Sequence, residues 1–170
     1  AHLRQSSDVV VDTTDKTLGE LKEQIDHLFL SEGEKPALRI SVTSFGYKHG
    51  IVLDAELVFD VRFVNNPFYV PALRQLTGLD AQLKDYVLQF PETEQFLTKT
   101  MDLLSFLIPL YIREGKRTLT VALGCTGGRH RSVVMAEMLG AKLSERYPGV
   151  NVSHRDRRYW KNSAQKGGLR

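Results

Sequence analysis

The sequence predicts an α/β fold, a layered sheet with flanking helices, and three observations carry that prediction. Short apolar runs alternate along the chain with longer segments at helical spacing. The run Leu119–Leu123 is short and nearly all apolar, the pattern of a strand buried on both faces. It feeds a glycine-rich turn that opens a helix from Ser132 to about Tyr147, closed by Pro148-Gly149.

Bulk composition narrows the class further. At 170 residues the chain holds one full hydrophobic core. With 42% hydrophobic and 25% charged residues it is neither disordered nor fibrous in composition. The longest uncharged apolar stretch, Leu103 to Ile112, is about half of what spanning a bilayer requires. No charged-then-apolar leader opens the sequence, and its single cysteine excludes an internal disulfide. The expectation is a cytoplasmic protein with no membrane partner.

The elements follow in order. Val9-Val10-Val11 reads as a strand, and Thr17 with Glu20 three residues later as a capping box. Leu18, Leu21, Ile25 and Leu28 then recur at helical spacing. Residues 31–36 are polar and punctuated by Gly33 and Pro36, a linker, so that 1–30 reads as a leading helix or the end of an upstream module. Within the main domain, 37–153, Leu38–Val42 is a strand entering the loop Ser44 to Gly50. Leu57–Phe63 is a second strand, with Phe59, Val61 and Phe63 on one face and Asp60 and Arg62 on the other. Helices are predicted at about Asp80–Gln89 and Thr93–Arg113, the second bent by Pro109 and stopped by Gly115. Val150–Ser153 is a last strand, and 154–170 a basic tail.

The segment Gly124-Cys125-Thr126-Gly127-Gly128-Arg129-His130-Arg131-Ser132 carries the chemistry. Its glycines let backbone approach a ligand without a Cβ in the way. The helix that follows offers unpaired N–H groups and the positive end of its dipole. Arg129, His130 and Arg131 crowd the helix start, where cations oppose the dipole unless an anion offsets them. Strand, glycine-rich loop and helix together read as an anion site at the C-terminal edge of a sheet, with phosphate held by Thr126, Gly127, Gly128 and Arg131. The bland reading is an ordinary connection with solvated cations.

The same residues also satisfy Cys-x5-Arg-Ser, the phosphate loop of cysteine-dependent phosphatases. That chemistry takes Cys125 as nucleophile, Arg131 as anion holder and a carboxylic acid, for which Asp60 is the candidate. Against it, Gly124 stands where those phosphatases usually carry His, and Cys125 is equally readable as a small buried residue. No metal ligand set is read in the sequence.

Five blocks resemble the C-terminal domain of the RapZ (YvcJ) family in order and spacing: Ser44 to Gly50, Val58 to Phe63, Asn66-Pro67, Leu76 to Asp80, and Gly124 to Ser132. Val10 to Thr14 resembles the end of that family's N-terminal nucleotide-binding domain. The resemblance implies a fragment whose ATP- or GTP-hydrolysing P-loop module lies upstream; these residues themselves hold no cofactor and no Gly-x4-Gly-Lys-Ser/Thr. It implies a partial likeness to phosphofructokinase and a phosphorylated metabolite as ligand, an amino-sugar phosphate in some members, with small RNA as a partner and a homo-oligomeric state. It carries ligand binding onto Asp60, Arg74, Thr126, Gly127 and Arg131, and draws Arg62, His49, Arg129 and His130 into the candidate set. Where RNA-binding relatives have His after Asn-Pro, this chain has Phe68. Each residue has a plainer reading: Asp60 and Arg62 pair with each other, His49 stabilises its loop, and Arg74 is solvated.

Net charge is +3, and it sits in the tail: residues 154–170 hold six cations against one acid, Asp156. Arg155, Arg157, Arg158 and Lys161 interleave with Tyr159 and Trp160, a pattern that can neutralise phosphates and stack on unpaired bases. The alternative is a disordered, solvated end.

Overall fold

The computed structural model describes residues 9–17, 20, 21, 24 and 38–160. They fall in two units, 1–36 and 37–170. In the first unit the capping box forms. Glu20 accepts the Thr17 N–H at 2.8 Å, and the Glu20 N–H donates to Thr17 Oγ1 at 3.3 Å. Val9–Val11 is irregular and not a strand, and Val9 and Val10 are exposed, with no ladder partner among the described residues. Most of the helical repeat after Thr17, the whole 31–36 linker, and Lys161 with the rest of the tail lie outside the described residues.

The second unit is α/β. Its elements are β1 (Arg39–Gly46), β2 (Leu57–Asp60), α1 (Ala81–Leu88), α2 (Pro91–Arg113), β3 (Thr118–Cys125), α3 (Arg131–Ser144) and β4 (Val150–His154). The sheet has the order β2-β3-β1-β4, and every pairing is parallel. Helix α3 packs on β1, β3 and β4, α2 packs on α3, and α1 on α2. Ile40, Val42, Leu119, Val121 and Leu123 from the strands meet Val134, Met135, Leu139 and Leu143 of α3 to form the core, continued by Leu97, Leu104 and Ile108 of α2. The apolar run 103–112 thus belongs to α2, with Leu103 and Phe106 left exposed. Among the described residues no helix is long and apolar enough to cross a membrane.

Strand ends differ from the sequence prediction at β1, β2 and β3, the last running on from Leu123 to Cys125. Strand β1 does not stop at Val42: Ser44, Phe45 and Gly46 continue it, paired with Leu123, Gly124 and Cys125. These residues look like a loop in isolation, and pairing with β3 recruits them into the ladder. Strand β2 stops early, at Asp60, because the Asp60 carboxylate accepts the Arg62 N–H at 2.9 Å and turns the chain. Helix α2 runs through Pro109 and ends as expected at Gly115, whose N–H donates to the Ile112 carbonyl while Lys116 N–H reaches Tyr111.

The register brings Gly46 opposite Cys125, Asp60 opposite Gly124 and His154 opposite Ser44. All four strands therefore end along one edge, where open parallel sheets bind ligands.

Helix α3 lies so close to β4 that a Cβ on Gly140 would stand 2.2 Å from Val152 Cγ2. Gly140→Ala is expected to destabilise the chain by about 1–3 kcal/mol, although alanine is the better helix former. Urea unfolding checks this: the midpoint falls with the slope unchanged. A raised midpoint would show that β4 yields.

Candidate functional site at the strand ends

The loop between β3 and α3 is built by close backbone approach. Gly128 has φ +67°, and a Cβ there would lie 2.6 Å from the Gly46 nitrogen and 3.0 Å from an Asp156 carboxylate oxygen. A Cβ on Gly46 would in turn stand 2.5 Å from the Gly127 carbonyl carbon. Only paired glycines allow β1 and the loop to meet this way.

The residues after β4 hold the loop from one side. Asp156, 2% exposed, accepts the Gly46 N–H at 2.7 Å and the Arg155 guanidinium at 2.9 Å on each oxygen. Trp160 Nε1–H donates to the Gly128 carbonyl at 2.9 Å. The segment 154–160 is therefore folded onto the body, contrary to a solvated tail: His154 closes β4, and Arg155 also donates to the Ile51 carbonyl at 3.0 Å. Arg157 and Arg158 stay exposed over the Trp160 and Tyr159 rings.

From the other side the loop is tied to residues 75–78. Arg129 donates to the carbonyls of Gln75, of Leu76 at 2.9 Å and of Trp160 at 2.8 Å, and burial disfavours its charge. The Gly78 N–H returns a bond to the Arg129 carbonyl at 2.9 Å. His130 is buried with Nε2 donating to the Leu76 carbonyl at 2.9 Å. Desolvation, reinforced by Arg129 and Arg131, holds its pKa down at about 4 against the pull of the carbonyls. Of the three crowded cations, one clamps backbone and one is neutral.

Arg131 is the third. It is 5% exposed, donates to the carbonyls of Arg62 at 2.9 Å and Val64 at 2.8 Å, and reaches Thr126 Oγ1 at 3.5 Å. Its Nε is buried with no hydrogen-bond partner among the described residues. Beside it, Cys125 Sγ receives the Gly128 N–H at 3.3 Å and lies 3.1 Å from Ser132 Oγ.

These residues border a cavity of about 340 Å³. Cys125, Thr126, Gly127 and Arg131 form one side, Lys48 and Arg74 bring positive charge, and Asn66, Phe68, Tyr69, Tyr159 and Trp160 supply the walls. Arg74 is anchored by its Nε on the Phe68 carbonyl at 3.0 Å and lies over the Phe68 ring. The sequence reading did not include Lys48, Tyr69 or the pocket role of Tyr159 and Trp160. The signal for Lys48 was its place just after a strand, on the edge where ligands bind.

Several candidates lie elsewhere. Asp60 and Arg62 pair with each other at 2.5 Å, with Arg62 over the Tyr47 ring, and neither borders the cavity. The Arg62 bond holds the Asp60 carboxyl below its usual range, which leaves it ionised and unsuited to donate a proton. His49 stacks on Tyr159 with ring centroids 4.1 Å apart, and its Nε2 is buried without a hydrogen-bond partner among the described residues. Gly128 turns towards Gly46 and Asp156, not into the cavity.

A family model described as the RapZ C-terminal domain matches residues 38–158. A nucleotide-binding protein of Finegoldia magna is 48% identical over 160 residues, covering 94% of this chain and 56% of that protein. One from Bacillus thuringiensis is 52% identical over 154 residues, covering 91% of this chain and 52% of its own length. The chain spans about half the length of the curated relatives it matches.

The buried histidine gives the domain an acid-side liability. With its folded pKa near 4 against 6.5 in the unfolded chain, His130 takes up its proton preferentially on unfolding. Its contribution is complete above pH 6.5 and is lost as pH falls from there to about 4. The size is about 3 kcal/mol at about 1.36 kcal/mol per unit. Unfolding free energies measured across this window should fall with acid more steeply for the parent chain than for His130→Gln; parallel curves would contradict the assignment.

Proposed function

This chain belongs to the RapZ C-terminal domain family, and on that premise we propose that it is a regulatory domain whose cavity binds a small phosphorylated metabolite. The observation that carries the reading is Arg131: a guanidinium held in place by two carbonyls, buried beside the cavity, with one N–H left unsatisfied. A buried donor without an acceptor is costly, and an anion supplies the acceptor. Lys48, Thr126 and Gly127 complete the phosphate cradle, and Arg74 lies at its border. The walls of Phe68, Tyr69, Tyr159 and Trp160 suit the body of a sugar phosphate, whose ring has apolar faces and polar edges. The phosphofructokinase likeness is part of the same proposal, as is assembly of copies through the exposed Leu103 and Phe106 of α2. The relatives' name, nucleotide-binding protein, we assign to the half of their length that this chain does not cover, since no P-loop motif is present here. The full-length protein would then bind and hydrolyse ATP or GTP in the cytoplasm through that half.

Phosphatase chemistry is the weaker alternative at the same loop. Cys125 and Arg131 stand at the right spacing, but Asp60 is ionised and committed to Arg62.

Inorganic phosphate should raise the melting temperature of the chain, by about 2.7 kcal/mol of stability at a hundred times its Kd. Lys48 is exposed, so Lys48→Ala leaves the fold alone and should weaken phosphate roughly tenfold, the loss of one charge-assisted hydrogen bond of about 1.5 kcal/mol. Equal stabilisation of both proteins would remove Lys48 from the cradle, and no phosphate effect on either would end the reading.

RNA contact is a second reading, favoured by Arg157 and Arg158, which remain exposed over aromatic rings while Arg155 is consumed internally. In a gel-shift titration against single-stranded RNA, changing both to Ala should weaken binding and flatten the slope of log K against log salt by roughly 1.4, two phosphate contacts at about 0.7 each. An unchanged slope would exclude them.

A further inference from the structure

We propose that Cys125 is a modification site for small peroxides, reached through the cavity, and that a bound anion and an oxidised Cys125 exclude each other. The proposal rests on the anion reading above and goes beyond it. Two independent observations place it. The thiol borders the cavity, with the Gly128 N–H donating to its sulfur at 3.3 Å and Ser132 Oγ 3.1 Å away. Its place on the cavity wall gives a small reagent a path to the sulfur. On the same cavity wall lies the Arg131 guanidinium, nine-tenths buried, with Nε unpartnered among the described residues. A cavity wide enough for phosphate also admits hydrogen peroxide, which is smaller, so one space serves the anion and the oxidant.

The step is a two-electron transfer. The sulfur attacks one peroxide oxygen; an S–O bond forms and the O–O bond breaks. The other oxygen leaves with the thiol proton to give water, and Cys125 becomes a sulfenic acid. The added oxygen projects into the cavity and accepts from the donors that phosphate would use. Cys125 is the one cysteine of the chain, so no internal disulfide can follow, and an external thiol must restore it.

The test uses the 170-residue chain, hydrogen peroxide, iodoacetamide and inorganic phosphate. Peroxide should add one oxygen to the intact mass, block alkylation and abolish the phosphate-dependent rise in melting temperature. Dithiothreitol should reverse all three, which separates Cys125 from the methionines, whose sulfoxides it does not reduce. Phosphate at ten times its half-saturating concentration should slow alkylation about tenfold, the occupancy ratio. The melting response of Cys125→Ser should ignore peroxide. A thiol that stays inert to both reagents in the native chain, yet reacts in urea, overturns the proposal. So does alkylation at the same rate with and without phosphate when phosphate still raises the melting temperature. Loss of any phosphate-dependent shift in the reduced chain instead removes the anion reading beneath it, and the gating falls with it.

Discussion

Two backbones meet without side chains between them where Gly46 ends its strand and Gly128 turns the phosphate-loop candidate. The rest of the site follows from that contact. It fixes how far the β3–α3 loop can lean over β1, and so where Thr126, Gly127 and Arg131 stand. Its open edge is filled by the Asp156 carboxylate, which takes the Gly46 N–H and stands against Gly128. A carboxylate in that position has left water, and removing one partner of a buried charge costs about 3–5 kcal/mol because the other remains uncompensated. Arg155 supplies the compensation with both oxygens engaged.

Three basic residues in a row at a helix start would ordinarily work against the helix. The structure resolves the conflict in three different ways. Arg129 spends its donors on carbonyls of two separate segments, so its charge is offset by fixed dipoles. His130 gives up its charge, since burial outweighs the pull of the carbonyls that face it. Arg131 keeps both its position and an unfilled donor. A motif that looks like a uniform cationic patch in the sequence is thus one structural clamp, one neutral donor and one buried guanidinium with a donor unpaired among the described residues.

How much of this was legible follows from which forces were local. The strand, glycine turn and helix around Cys125 could be read because apolar runs and glycines act on their own neighbourhood. The capping box at Thr17 was legible for the same reason. The extension of β1 through Ser44 to Gly46 was not, because the pairing that imposes it comes from residues far along the chain. Asp60 and Arg62 were placed on a strand face by alternation, but an ionic turn two residues long overrode the period. Lys48 was hidden because a lysine in a loop is usually solvated, and only the fold brings it to the cavity at the common strand edge.

The basic tail is the clearest case, and it shows why charge counting misleads. A run of arginines suggests a solvated end, since burying cations is costly. Here a single acid changes the balance. Asp156 gives Arg155 a partner, the Gly46 amide gives Asp156 a third bond, and Trp160 buries its ring while its N–H finds the Gly128 carbonyl. Each group satisfies a polar requirement of another, so the segment orders as a unit or not at all. Arg157 and Arg158 have no carboxylate partner among the described residues; they stay exposed, with their guanidiniums over the Trp160 and Tyr159 rings, an arrangement that leaves a cation on the surface. The division between internal and available charge is therefore set by one aspartate, and net charge alone could not have revealed it.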